Sequence, residues 1–314
     1  MRSARLLLAL VMVAGGAAWA TVSHAQETAA PAPAASSKQD KKAKAAKAAK
    51  AAKAAKGAPG APAPAASLPA DKLEGLRLAL VGADDAAAIE AAGTLGASGS
   101  TAAAEPLVEI LADGATAARL QAALDALAKL GEAHALRADQ TTIDALTLYA
   151  GHRAPDVRRR ALKVLGTIND PRVIPALSDR LGDAASDVRA AAAASLAERH
   201  EAKAAPRMFA LLARGDAGVA APLALLATPD MIPRVAELTG TIDDGIVADA
   251  LGEYVKRADV PDKLRIDVLR TIGRLSGAVA TTALVEYVAS IPAKEDRPSK
   301  KEAQKLIDAR GASE

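Results

Sequence analysis

"APDVRRRALKVLGTINDPRVIPALSDRLGD", residues 154–183, runs directly into "AASDVRAAAAASLAERHEAKAAPRMFALLARGD", residues 184–216. Shifting the first stretch by 31 positions lays Asp156, Val157 and Arg158 on Asp187, Val188 and Arg189. The same shift lays Ala161 on Ala192, Leu165 on Leu196, Pro175 on Pro206, Leu177 on Met208 and Leu181 on Leu212. Each copy holds two apolar stretches of helical period joined by a short turn. A period of that length is the mark of stacked two-helix units.

The marked positions have structural causes. Pro175, Pro206 and Pro233 sit where a helix begins, and a missing N–H costs nothing in a first turn. Asp156 and Asp187 fall in a first turn, where exposed N–H groups favour negative charge. Val157, Ala161, Leu162 and Leu165 share one helix face, as do Val188, Ala192 and Leu196. A lone helix pair cannot bury such a face, whereas stacked pairs bury it against their neighbours. The expected fold is therefore an all-α solenoid of antiparallel helix pairs.

Looser copies extend the pattern. "EPLVEIL" (105–111) reads as the second helix of an earlier unit, "IPRVAEL" (232–238) resembles "APRMFALL" (205–212), and "KLRIDVLRTIGRLSG" (263–277) echoes "VRRRALKVLGTIND" (157–170). "GEAHALRADQ" (131–140) inserts a longer turn. Asp71 and Glu74, in capping-box spacing, mark the first helix. These residues resemble the HEAT repeat family, in the short variant known as phycobilisome-lyase-like HEAT repeats. The resemblance rests on Pro155, Val157, Arg158, Ala161, Leu162, Leu165, Gly166, Asp170, Pro171, Pro175 and Leu177. Ala154 and Ala185 stand where the family has an opening Asp. The resemblance implies the fold, and it implies that the second helix of each pair lines the concave side.

Before the repeats the composition changes. Arg2 and Arg5 precede the apolar run Leu6–Ala20, and Ser23-His24-Ala25 is a small-x-small pattern. This reads as an export signal, residues 1–25, cleaved between Ala25 and Gln26, rather than an uncleaved anchor. Residues 26–68 are a linker of Ala, Pro, Lys, Ser and Gly, 69–290 the repeat domain, and 291–314 a charged tail with a short helix opened by Ser299 and Glu302. The tail helix is expected to pack loosely. The whole chain carries +3, but the Lys38–Lys56 block alone carries +7, and residues 57–314 carry −5. A nucleic-acid binder places its basic footprint on the folded part, so no nucleic-acid partner is expected. The block reads as a soluble spacer, or as a contact for a polyanion or anionic membrane.

Chemistry is sparse. With no Cys, thiol catalysis and Cys-ligated zinc are excluded. His134, His152 and His200 stand in no ligand constellation, and "HEAKA" (200–204) has Ala204 where a zinc helix needs a second His. "GASGS" (96–100) reads as a turn and Asp243-Asp244 as a helix entry. The expectation is an exported, non-catalytic scaffold in the bacterial periplasm or outside the cell, without cofactor or metal, binding another protein along its concave surface. An envelope-attached structural protein and a lyase-like, enzyme-associated module are the alternatives. Arg158 and Arg189 share one repeat slot and are expected to form a ladder with first-turn carboxylates. Arg207 and Arg234 each follow a helix-opening proline, and Arg172 and Lys203 each precede one by three residues. Cations at a helix N-terminus oppose the dipole. Their recurrence lacks a local cause in the sequence, which makes these four the candidate partner-binding residues.

Overall fold

The structure, a computed structural model, describes residues 68–311. The expected export signal, the Ala25–Gln26 junction and the lysine block lie outside the described residues. Among the described residues there are fifteen α-helices: α1 (Ala70–Val81), α2 (Asp85–Ala97), α3 (Ala104–Asp113), α4 (Ala117–Glu132), α5 (Gln140–Ala150), α6 (Pro155–Thr167), α7 (Ile174–Arg180), α8 (Ser186–Glu198), α9 (Ala205–Leu212), α10 (Ala220–Leu226), α11 (Met231–Ala236), α12 (Asp244–Lys256), α13 (Asp262–Arg274), α14 (Ala278–Ser290) and α15 (Pro298–Gly311). A single isolated bridge, Thr239 to Ile242, is the only extended pairing among them.

The 31-residue shift survives in three dimensions. Val157 and Val188, Ala161 and Ala192, Leu165 and Leu196, Leu177 and Met208, and Leu181 and Leu212 are all buried. Asp156 and Asp187 sit in the first turns of α6 and α8, and Pro175 and Pro206 in those of α7 and α9. The start of α1 differs from expectation. Pro69 precedes its first turn with no side-chain cap, so Asp71 lies inside the helix rather than opening a capping box.

The helices form two rows. The even-numbered helices from α2 to α14 pack in succession along their lengths. Small residues set their spacing: Gly96 of α2 faces Ala126 of α4, Gly131 of α4 faces Thr167 at the end of α6, Gly166 of α6 faces Ser195 of α8, and Gly252 of α12 faces Ala283 of α14. A Cβ on Gly96 would stand 2.6 Å from the Ala126 Cα, so the backbones themselves are in contact. The odd row is built of shorter pieces, with 7, 8 and 6 residues in α7, α9 and α11, and before α13 these touch each other sparsely.

Guanidinium groups tie unit to unit. Arg199, just past α8, donates to the Ile168 and Asp170 carbonyls beyond α6. Arg257, just past α12, donates to the Ala224 and Ala227 carbonyls of the α10 end at 2.9 and 2.7 Å. Arg310 of α15 reaches the Gly273, Leu275 and Gly277 carbonyls at the end of α13. Each places a cation on the orphan carbonyls at the negative end of a helix in the preceding unit.

The C-terminal helix is not loose. α15 packs on α13 and α14, and Ser299 is fully buried. The Ser299 hydroxyl accepts from Tyr287 Oη at 2.7 Å and donates to the Asp262 carboxylate. Ser299 therefore docks the helix onto the preceding unit instead of opening a capping box.

Candidate interaction surface

The arginine ladder exists, but its anions are not the first-turn carboxylates. Arg158 forms a bidentate pair with Asp183 at 2.6 and 2.8 Å and donates to the His152 and Arg153 carbonyls. Arg189, one repeat on, pairs with Asp216 and donates to the Asp183 and Ala184 carbonyls. Asp183 and Asp216 lie in the turns between units, with side chains only 4% and 7% exposed. Burial pushes the Asp183 carboxyl up, but hydrogen bonds from Arg158 and the Ala185 N–H hold it below the ordinary value. These arginines are interior struts of the stack.

The first-turn carboxylates meet Arg159 and Arg160 instead. Asp156 accepts from Arg159 at 2.6 Å and from Arg160 at 3.1 Å, and these bonds hold its carboxyl below the ordinary value. Arg160 continues to Asp125 on α4, and Arg159 approaches Asp187 on α8 at 3.8 Å. Alternating charges thus cross the exposed face of three even-row helices. Beside them Lys163 pairs with Glu132 at 3.0 Å.

Between α6 and α8 this face forms a groove of about 490 Å³. Ala190, Ala191, Ala194 and Ser195 give it a low floor, and Arg159, Lys163 and Thr167 form its α6 wall. The floor is low because Gly166 lets α6 approach Ser195 of α8. A larger groove of about 610 Å³ lies on the odd row between α3 and α5. Two of its acidic residues are already engaged, Glu109 by Arg77 and Asp139 as the cap of the Thr142 N–H.

The four residues singled out in the sequence lie on the odd row, and three of them have local causes that the sequence did not disclose. Arg172 donates to Asp170, to Gln140 Oε1 at 2.7 Å and to the Ala138 carbonyl of the preceding unit at 2.7 Å. Arg207 donates to the Ser178 carbonyl of the preceding unit at 2.9 Å. The Arg234 guanidinium lies 4.3 Å from the Phe209 ring centroid, within cation–π range. Lys203 is exposed with no hydrogen bond or ion pair among the described residues. The residues that sequence reasoning passed over are Ala190, Ala191 and Ala194 of α8, because a half-buried alanine on a helix carries no signal until a groove surrounds it.

Residues 143–228 match the model of HEAT repeats, and residues 87–113 match that of the PBS lyase HEAT-like repeat. These segments are HEAT repeats. No curated protein matches the chain. Among solved structures, the chain is similar to the complex of CpcE and CpcF of phycocyanin lyase from Nostoc sp. PCC7120, at 19% identity over 80% of this chain and 99% of that one, with a TM-score of 0.43. It is similar to Kap121p bound to Ste12p at 13% identity, over 76% of this chain and 29% of that one, with a TM-score of 0.49. It is also similar to a designed armadillo repeat protein in complex with the peptide (KR)4, at 17% identity over 76% of this chain and 98% of that one, with a TM-score of 0.33. Among the described residues no three His, Asp or Glu converge as metal ligands, and no helix is long and apolar enough to cross a membrane.

Proposed function

We propose that this protein is an exported, non-catalytic scaffold that holds a protein partner against the exposed face of its even row. The observation that carries the reading is the continuity of that face: charges crossing α4, α6 and α8, beside a groove floored by alanine. Repeat stacks present extended surfaces of this kind to other macromolecules. Export is supported by Arg2, Arg5, the apolar run Leu6–Ala20 and the Ser23-His24-Ala25 pattern. The lysine block, at +7, supports a subsidiary contact with a polyanion or an anionic membrane.

Site-specific photo-crosslinking tests the scaffold reading. A benzoylphenylalanine at Ala191 is expected to capture a protein in cells, and one at Ala210 on the odd row is not. Equal capture at both positions removes the even row as the interface. Cell fractionation with N-terminal sequencing tests export: a mature chain beginning at Gln26 outside the cytoplasm is expected, and a cytoplasmic chain retaining Met1 overturns it. Vesicle sedimentation with anionic and neutral lipid, with and without residues 26–68, tests the lysine block. An enzyme-associated role, consistent with the lyase-type repeat match at 87–113, requires the captured protein to be an enzyme whose activity changes when this chain is removed.

A further inference from the structure

The two struts of the arginine ladder are not spent alike. Arg158 uses its whole guanidinium: Nε and Nη2 hold Asp183, and Nη1 reaches the His152 and Arg153 carbonyls. Arg189, one repeat on, gives Nε to Asp216 and Nη1 to the Asp183 and Ala184 carbonyls. Asp216 turns its other oxygen to the Gly218 N–H, so Arg189 Nη2 has no acceptor among the described residues. Arg189 lines a notch of about 360 Å³ between the turns at 181–183 and 211–216. Two more guanidiniums stand there. Arg214 lines the same notch, is exposed and has no hydrogen bond or ion pair among the described residues. Arg207 lies at the rim, its Nη2 only 2.6 Å from where a Cβ on Gly182 would be, and its one hydrogen bond runs from Nη1 to the Ser178 carbonyl.

The carboxylates nearby do not answer these cations. Asp183 and Asp216 hold Arg158 and Arg189 from behind, with side chains 4% and 7% exposed. Arg180 stands 3.8 Å from the already engaged Asp183, and in charge count it is matched by Asp179 beside it. The charges of Arg207 and Arg214 are left unmatched. Unspent guanidinium N–H groups with excess positive charge select an oxoanion. A carboxylate has two oxygens in one plane and is satisfied by a single guanidinium fork. A phosphate carries nearly two negative charges and three strong acceptor oxygens that point apart. The notch offers donors from three separate elements, α8, α9 and the turn after α9, and an unmatched charge of the same size. Phosphate therefore fits it better than a carboxylate does.

We propose that this notch binds a phosphate group, as the free ion or on a small phosphomonoester, through Arg189 Nη2, Arg207 and Arg214. Arg189 is fixed by Asp216 and two carbonyls, so the floor of the site is ordered before the ligand arrives. The site is separate from the even-row interface and does not depend on it. Calorimetric titration of the full chain with sodium phosphate, glycerol 3-phosphate and sodium acetate, at one ionic strength, tests it, with the amide shifts of Gly182 and Gly215 followed by NMR. Saturable phosphate binding that moves both amides is expected, with acetate at least tenfold weaker. Arg214→Gln is expected to weaken phosphate binding at least tenfold and to leave the melting temperature unchanged, because Arg214 holds no partner in the fold. Lys203→Gln removes an exposed, unpaired cation outside the notch, and a change of less than twofold is expected. Tighter binding of glycerol 3-phosphate assigns the site to a phosphomonoester, and tighter binding of phosphate assigns it to the free ion. Phosphate binding that survives Arg214→Gln and leaves Gly182 and Gly215 unshifted belongs to the lysine block and overturns the site, as does the absence of saturable binding. Acetate binding as tight as phosphate overturns the phosphate assignment.

Discussion

The Asp170–Arg172 pair shows how a single contact answers a question the sequence poses. Asp170 accepts from both the side chain and the N–H of Arg172, and these bonds lower its carboxyl from 3.8 to about 2. A carboxyl depressed in the folded state contributes stability that is complete above its unfolded value and is lost as pH falls through the folded one. The window is thus from 3.8 down to about 2. Comparing Arg172→Gln with the parent by thermal melting, the difference is expected to be largest near about pH 5 and to shrink steadily toward about pH 2. A difference independent of pH would mean that the Gln140 and Ala138 contacts, not Asp170, carry the role of Arg172. Two other residues hold strain. His134 and His200 have φ of 56° and 55°, each just past the end of an even-row helix. In both, the next N–H closes the helix end, Ala135 to Leu130 and Glu201 to Leu196. Glycine is the usual occupant of such a position. His134→Gly and His200→Gly are each expected to stabilise by about 0.5–1 kcal/mol in chemical denaturation, the relief of left-handed strain exceeding the added freedom of the unfolded chain.

At the scale of the element, α2 offers a paired test. Gly96 lies against the Ala126 backbone, whereas nothing stands within 4 Å of a Cβ on Gly93 in the same helix. Gly93→Ala is expected to stabilise by about 0.5–1 kcal/mol through helix propensity alone. Gly96→Ala gains the same propensity but forces two helices apart, and a net loss of about 1–3 kcal/mol is expected. Equal effects in urea denaturation would show that the rows are not set by backbone contact. Sequence alone reads Gly96 as the start of the turn at 96–100, because the neighbour that holds it inside the helix is 30 residues away. The same holds for Arg199 and Arg257. As letters they are surface cations, and only stacking brings the preceding unit's carbonyls within reach. The helix starts at Pro175, Pro206 and Pro233 were legible because their causes are local. The Ser299 assignment failed because Asp262 and Tyr287, remote in sequence, bury it.

At the scale of the molecule, a stack in which each unit meets only its neighbours unfolds from its ends. α15 closes the C-terminal end through Ser299, Tyr287 and Asp262, and through Leu306 against Gly273. Ser299→Ala leaves the Tyr287 hydroxyl and the Asp262 carboxylate without that partner, and about 1–3 kcal/mol is expected to be lost locally. Hydrogen exchange is expected to quicken in α13–α15 and stay unchanged in α4–α8. Uniform quickening would mean that the array unfolds as one cooperative unit.

The sequence by itself determined the helical class, the 31-residue period, the buried faces of the two central units and the opening residues of the helices in those units. Each of these follows from residue chemistry read within a turn or two. Which row packs tightly, where the arginines find their acceptors and which alanines floor a groove were decided only by the tertiary structure. Those properties depend on the distance between helices about thirty residues apart, and that distance is set by the smallest side chain at each crossing. A small residue facing a neighbour and one facing water are written with the same letter.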